Sequence, residues 1–332
     1  MELQIHDGKF YIDGLFANPG HPAREGRLVG VYSDVCAFFD KTLCDVEKNR
    51  EGFVKNLASW RSSGVNLVTL GLQGPSPFGE YYKKAREQNK SDSITYKSSA
   101  FGPDGGLDFA YLENAEGIIR AAGDAGLLVL VDIFSSSGEW VFEDEYAVIN
   151  GAFNIAGWLL SKGFSNVMAN IADVSHTFFK SSVLRGGGPV KILKSLKEYA
   201  GDRLILGAGL KSTKNIPENL LCDYIKYSDF VPVYSNIDGA QSNFNTKKML
   251  EDIYLLKKTM GEHGKNTPII VAKGDDLNEK YSSYGKNNLS EALENGASWC
   301  YYDREGFVLL PVDWGAGSSP KKRRFFENIL AF

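Results

Sequence analysis

Cysteine is scarce and scattered. Cys36, Cys44, Cys222 and Cys300 are the only four in 332 residues, and no two of them form a Cys-x-x-Cys pair. That spacing excludes a disulfide framework and a structural zinc site, and leaves free, partly buried thiols as the expectation. No metal and no cofactor is expected. A long apolar run is also missing. The start, Met1 to Gly8, carries no basic segment followed by a hydrophobic stretch, so neither a secretion signal nor a membrane span is expected. The expected setting is cytoplasmic or part of an assembly, unless a leader has been removed. Charge of one sign is not in excess. The formal net charge is -4, which gives no reason to expect a nucleic-acid partner or a membrane surface. The one basic cluster, Lys321-Lys322-Arg323-Arg324, stands just before Phe325, Phe326, Ile329 and Leu330 and reads as the solvated face of a last helix. Three motifs are absent as well. No Gly-x-Gly-x-x-Gly follows the first strand, no Gly-x-Ser-x-Gly elbow occurs, and Arg185-Gly186-Gly187-Gly188-Pro189 lacks the Gly-Lys-Ser/Thr ending of a P-loop.

What is present is an ordinary globular composition, 43% hydrophobic and 23% charged, with material for a large core. After an alternating segment, Lys9 to Phe16, that reads as a hairpin outside the main fold, apolar β-rich runs alternate with amphipathic stretches. The runs are Leu28–Tyr32, Val65–Leu70, Leu127–Ile133, Asn166–Ile171, Leu204–Ala208, Phe230–Tyr234, Ile269–Val271 and Ala297–Tyr301. Pro232 is awkward in a central parallel strand, because it has no N–H to give to the ladder. Helical stripes lie between the runs: Phe53, Leu57 and Trp60; Leu112, Ala115, Ile118, Ile119 and Ala122; Ala152, Ile155, Ala156 and Leu159; a helix opened by Pro189; and Met249, Ile253, Leu256 and Met260. Eight strands with intervening helices favour an α/β fold of the (β/α)8 type, one domain over residues 1–332, with an N-terminal hairpin extension at 1–26. A long loop at 74–107 follows the second strand, which places it on the catalytic face of a barrel. Its rings Tyr81, Tyr82, Tyr96 and Phe101 would either stack on sugars or hold the loop to the rim.

At this point particular motifs carry a resemblance. They include Asn49-Arg50, Trp60-Arg61-Ser62-Ser63-Gly64-Val65-Asn66, Leu72-Gln73-Gly74-Pro75-Ser76-Pro77 and Ser99 to Gly105. Gly296-Ala297-Ser298-Trp299, Pro311-Val312-Asp313-Trp314 and Lys321 to Phe326 add to them, together with the fourth and seventh strands. Spread over the whole chain, they resemble cellulase-like barrels of the clan that contains glycoside hydrolase family five, and within it a subgroup of uncharacterised bacterial members. The resemblance implies a retaining mechanism, with a glutamate acid/base after strand four and a glutamate nucleophile ending strand seven, about 5–5.5 Å apart. In this chain those places fall on Val174 and Lys273. Valine has no proton to give, and an ammonium opposes the cationic transition state of glycoside cleavage.

Asp173, with Asp275 or Asp276, would be a surrogate carboxylate pair, set further apart and suited to an inverting route. Against this, Asp173 would simply cap the next helix while Asp275 pairs with Lys273. His176 would shuttle a proton or hold a hydroxyl, or else make a structural hydrogen bond. Asp34, Gln73, Asp132, Tyr234, Asn236 and Trp299 stand at or just after other strand ends, where the resemblance implies a sugar cleft. Trp299 offers an indole to a pyranose face, or packs the barrel rim. Three functions follow: a degenerate glycosidase that keeps its oligo- or polysaccharide cleft; an active glycosidase using the displaced aspartates; or a structural protein reusing the barrel, with a protein partner or a second copy.

Overall fold

The computed structural model describes residues 1–33, 45–74, 99–136, 138–173, 179–234, 246–274, 287–303 and 312–331. The chain opens with three short strands, β1 (Leu3–His6), β2 (Lys9–Ile12) and β3 (Leu15–Phe16), paired antiparallel in that order. Two Asp-Gly pairs make the corners. Asp7 and Gly8 have φ of 48° and 71°, and Asp13 and Gly14 have 53° and 78°. Two successive positive-φ residues form the tight hairpin turn that matches strand twist. The expected hairpin is therefore a three-stranded sheet. It is not separate from the main fold either: Leu3, Phe10 and Ala17 share a buried cluster with barrel residues Leu28, Leu128 and Phe230. An apolar side chain on a small sheet has to find cover, and the open lower end of the barrel supplies it.

Eight parallel strands follow: β4 (Val29–Val31), β5 (Leu67–Gly71), β6 (Leu128–Phe134), β7 (Val167–Ala172), β8 (Ile205–Gly207), β9 (Val231–Val233), β10 (Ile269–Gly274) and β11 (Ala297–Tyr301). They are ordered β8-β7-β6-β5-β4-β11-β10-β9. A bridge between Leu210 and Val233 joins the two ends, with Leu210 N–H donating to Pro232 O at 2.9 Å and Tyr234 N–H donating to Leu210 O at 2.7 Å. Pro232 is in its strand after all. In a parallel strand the N–H and C=O of one residue face the same neighbour. Pro232 faces this seam, where the ladder has shrunk to one bridge, so its missing N–H costs little.

Eight helices are described: α1 (Val46–Ser62), α2 (Phe109–Asp124), α3 (Glu145–Lys162), α4 (Gly188–Ala200), α5 (Glu218–Tyr227), α6 (Thr246–Glu262), α7 (Asn288–Glu294) and α8 (Pro320–Ala331). The fold is a (β/α)8 barrel. Aspartates start the first three helices. Asp45, Asp108 and Asp144 accept from the backbone N–H of Lys48, Tyr111 and Ala147 at 3.1, 3.0 and 2.8 Å. The helical stripes read from the sequence face the barrel, and each fully buried Phe, Leu or Ile contributes about 1.5–3 kcal/mol. The last helix departs from expectation at two points. Lys321, Arg323 and Arg324 are exposed, but Lys322 is buried, and its ammonium donates to Asp313 O and Ser318 Oγ. Leu330, by contrast, is exposed.

Strand alternation sorts the side chains. On β6, Val129, Val131 and Ile133 face the helices, while Leu128 and Leu130 fill the barrel interior. The next inward position is Asp132. The interior thus changes from apolar to polar as the strands run toward their C-terminal ends, the end where barrels of this kind carry their chemistry.

Candidate functional site at the barrel mouth

The polar layer begins with Asp132 on β6, Asn170 on β7 and Tyr234 just after β9. Asp132 Oδ1 accepts from Asn170 Nδ2 at 2.7 Å and from the Tyr234 hydroxyl at 2.8 Å, and Asn170 Nδ2 also lies 2.9 Å from the Tyr234 oxygen. All three are buried. Burial pushes the Asp132 carboxyl up from 3.8 to about 6, reinforced by the negative charge of Asp173 and opposed by the Asn170 hydrogen bond. Burial, with Asp132 beside it, raises Tyr234 well above its ordinary value, so the phenol keeps its proton and remains a donor. Two atoms of this group, Asp132 Oδ2 and Asn170 Oδ1, are buried with no hydrogen-bond partner among the described residues.

Above this layer stands Lys273, on β10. Its Nζ is 3.7 Å from Asp173 Oδ2 and lies over three tyrosine rings, with centroids at 4.4 Å for Tyr32, 5.5 Å for Tyr234 and 5.9 Å for Tyr302. An ammonium over aromatic faces is attracted by the ring quadrupole. The strand geometry explains how lysine reaches this place. Pairing between β10 and β11 shifts register between Val271 and Gly274, and such a bulge re-aims a side chain. Gly274 lies under the Trp299 indole, where an added Cβ would come within 2.1 Å of Trp299 Nε1, so the strand can pass there only as glycine.

Asp173 is buried just after β7. Its carboxylate accepts from Ser136 N–H at 3.0 Å and from Ser135 Oγ at 3.4 Å, in addition to the Lys273 contact. It ties the turn after β6 to β10, and Lys273 takes Asp173 as an ion-pair partner. Gln73 is buried and does related work. Its amide donates to Gly138 O at 3.2 Å and accepts from Ser135 N–H at 3.0 Å, fixing the same turn.

Trp299 is fully buried, with its ring near Tyr301 and Phe325 at centroid distances of 6.1 and 6.0 Å. Its indole faces the helices and has no free surface for a sugar ring, which is the rim-packing alternative. The inward residues of β11 are its neighbours: Ser298, whose Oγ accepts from Leu28 N–H at 2.8 Å, and Cys300 in the lower core. Two residues further on, Tyr302 reaches the mouth. Asn170, Tyr32 and Tyr302 belong to this site and were not singled out from the sequence. Strand parity was the available signal, since each follows inward positions by an even step. Asp34, Val174, His176, Asn236, Asp275 and Asp276 lie outside the described residues. No group of three His, Cys, Asp or Glu able to hold a metal occurs among the described residues. No described helix is long and apolar enough to cross a membrane.

A barrel with a polar, carboxylate-bearing C-terminal mouth defines a broad class of protein. Comparison with solved structures narrows the fold. A β-mannanase from the blue mussel Mytilus edulis superposes with a TM-score of 0.60 at 12% identity, covering 100% of this chain and 96% of that one. A putative glycoside hydrolase from Bacteroides vulgatus gives 0.58 at 13% identity, and a glycoside hydrolase family 5 enzyme from Prevotella bryantii gives 0.54 at 11%. The Prevotella comparison covers 96% of this chain and 99% of the other. The Bacteroides comparison covers 99% of this chain, which spans only 60% of the length of that protein. No protein-family model matches the chain, and no curated protein matches it. The fold is that of the glycoside hydrolase family 5 barrels.

Proposed function

We propose that this chain is a glycoside-hydrolase-like barrel that has lost hydrolysis and retains a carbohydrate-binding cleft. One observation carries the reading: the ammonium of Lys273, at the end of the seventh barrel strand, 3.7 Å from Asp173 Oδ2. The resemblance calls for a nucleophilic carboxylate at that position. A cation there opposes the positive charge that develops on the sugar as its glycosidic bond breaks. The same ion pair occupies Asp173, one of the surrogate acids, which also receives Ser136 N–H. Phenols, carboxyls and amides around this point supply hydrogen-bonding groups of the kind that hold sugar hydroxyls.

The test is turnover of aryl glycosides and of β-glucan and β-mannan oligosaccharides, with titration calorimetry on the same oligosaccharides. The expected result is binding without turnover. Hydrolysis that disappears in Asp173→Asn would overturn the proposal in favour of an active enzyme using Asp173 with Asp275 or Asp276. Absence of both turnover and binding would favour a structural protein that reuses the barrel, with a protein partner or a second copy.

A further inference from the structure

Trp140 is the exposed tryptophan of this protein. The other four, Trp60, Trp158, Trp299 and Trp314, are at most 6% exposed, whereas Trp140 is 41% exposed. It sits on a 3-10 turn, Glu139–Val141, after β6, on the C-terminal side of the barrel. That turn is held rigidly. The Glu139 carboxylate accepts Lys180 N–H at 2.6 Å and also Ser181 N–H, Gly138 O accepts the Gln73 amide, and Glu143 N–H donates to Pro103 O at 3.0 Å. Below it, Phe142 packs on Phe101 and Phe134 with centroids 5.4 and 5.6 Å away. A large apolar ring exposed on a fixed support loses little entropy when a ligand covers it.

Two cavities meet at this ring. One, about 470 Å³, is bounded by Trp140, Phe142, Val148, Lys180 and Ser181; the other, about 500 Å³, by Trp140, Phe101, Pro103 and Leu107. Each is of a size that takes small ligands. Their carboxylates are already engaged: Asp144 and Asp108 cap helices, Glu139 and Glu145 accept backbone N–H groups of residues 180 to 182, and Asp104 accepts Gly106 N–H. Five acids against Lys180 make the lining unfavourable for an anion. Among the buried groups of the lining, the Ser181 hydroxyl has no partner among the described residues, and Ser181 lines the first cavity. An apolar ring shared by two cavities, an unused hydroxyl and an acidic lining fit an uncharged sugar chain that crosses the indole.

We infer that Trp140 is the platform of an oligosaccharide subsite that continues the cleft away from the barrel mouth, and that Ser181 hydrogen-bonds one of its sugar hydroxyls. The inference rests on the carbohydrate reading above and locates part of it. Because the other indoles are buried, acrylamide quenching of the intact protein acts mainly on this ring. The probes are cellohexaose and mannohexaose, with glucose and mannose as controls. One or both hexaoses should shift and protect wild-type emission from acrylamide, and the monosaccharides should not. Trp140→Ala should weaken hexaose binding by calorimetry at least tenfold with an unchanged melting temperature. Trp140→Phe should weaken it less, and Ser181→Ala by a few-fold. If a hexaose binds wild type and Trp140→Ala equally, the platform is wrong while the carbohydrate reading stands. If no hexaose binds wild type, both fall. Should Trp140→Ala not fold, equal hexaose affinity of Trp140→Phe and wild type, with emission unprotected, overturns the platform.

Discussion

The lower and upper halves of the barrel are built from the same strands and do opposite things. In the lower half, inward side chains are Leu67, Leu128, Leu130, Met168, Phe230, Ile270 and Cys300, covered from below by Leu3, Phe10 and Ala17 of the small sheet. The one titratable group there, the Cys300 thiol, is pushed far up by burial and stays protonated. Further along those strands the inward residues are Asp132, Asn170 and Tyr234, and then comes the ion pair of Lys273 with Asp173. The lower half is held by area removed from water, which tolerates few losses of volume. The upper half places polar groups where water has largely been excluded, a cost offset only by their mutual contacts. The lesson is that the stable and the chemically usable parts are separated by a single side-chain layer, set by the two-residue period of the strand.

The sharpest way to break this contrast is to hollow out the lower half. Leu130→Ala should cost about 2–5 kcal/mol in urea unfolding, because a closed barrel cannot collapse around the space left behind. A loss below ~1 kcal/mol would mean that the interior is not tightly filled there.

Next in size is the pH dependence of the upper half. A carboxyl raised from 3.8 to about 6 on folding makes the folded chain bind its proton more tightly than the unfolded chain does. Its favourable contribution is complete below the unfolded value and disappears as pH rises through the folded one, a loss of about 3 kcal/mol. The stability of Asp132→Asn minus that of wild type should therefore grow by about that amount between pH ~4 and ~7. Parallel stability profiles for the two proteins would refute the buried, ionising carboxyl.

Smaller still is the ion pair. Lys273→Met leaves Asp173 with its Ser136 and Ser135 donors. The expected loss is therefore about 1–2 kcal/mol, below the 3–5 of a pair whose partner is left with nothing. A cycle with Asp173→Asn checks it, since two additive single losses would show no coupling between these groups. The smallest effect belongs outside both halves. Lys258 and Glu262, half exposed on α6 at 3.8 Å, should matter by less than about 0.5 kcal/mol when Lys258 is changed to Ala.

Most of the framework was legible in the sequence because periodicity survives without knowledge of partners. The run Leu127–Ile133 became β6, and the stripe Leu112, Ala115, Ile118, Ile119 and Ala122 became the buried side of α2. The site was legible in part. Asp132, Tyr234, Lys273 and Asp173 do meet at the mouth, but Gln73 braces a neighbouring turn and Trp299 faces the helices. Of the two readings open for Trp299 the structure has the packed one, and parity is the reason: a large ring near a strand end points to cleft or shell according to one residue of register. Lys273 shows the converse, since a bulge in β10 undoes the simple alternation that would otherwise assign its direction.

By itself, then, the amino-acid sequence determined the kind of architecture, the order of its strands and helices, and the strand ends that carry polar side chains. These depend on local spacing of apolar residues, which any stretch of chain displays alone. Only the tertiary structure decided that Lys273 would meet Asp173 and three tyrosine rings, that Asp132 would be dry enough to hold a proton near pH 6, and that Trp140 alone of five indoles would face solvent. Those outcomes depend on which strands become neighbours when the barrel closes, and on the water excluded as it does so.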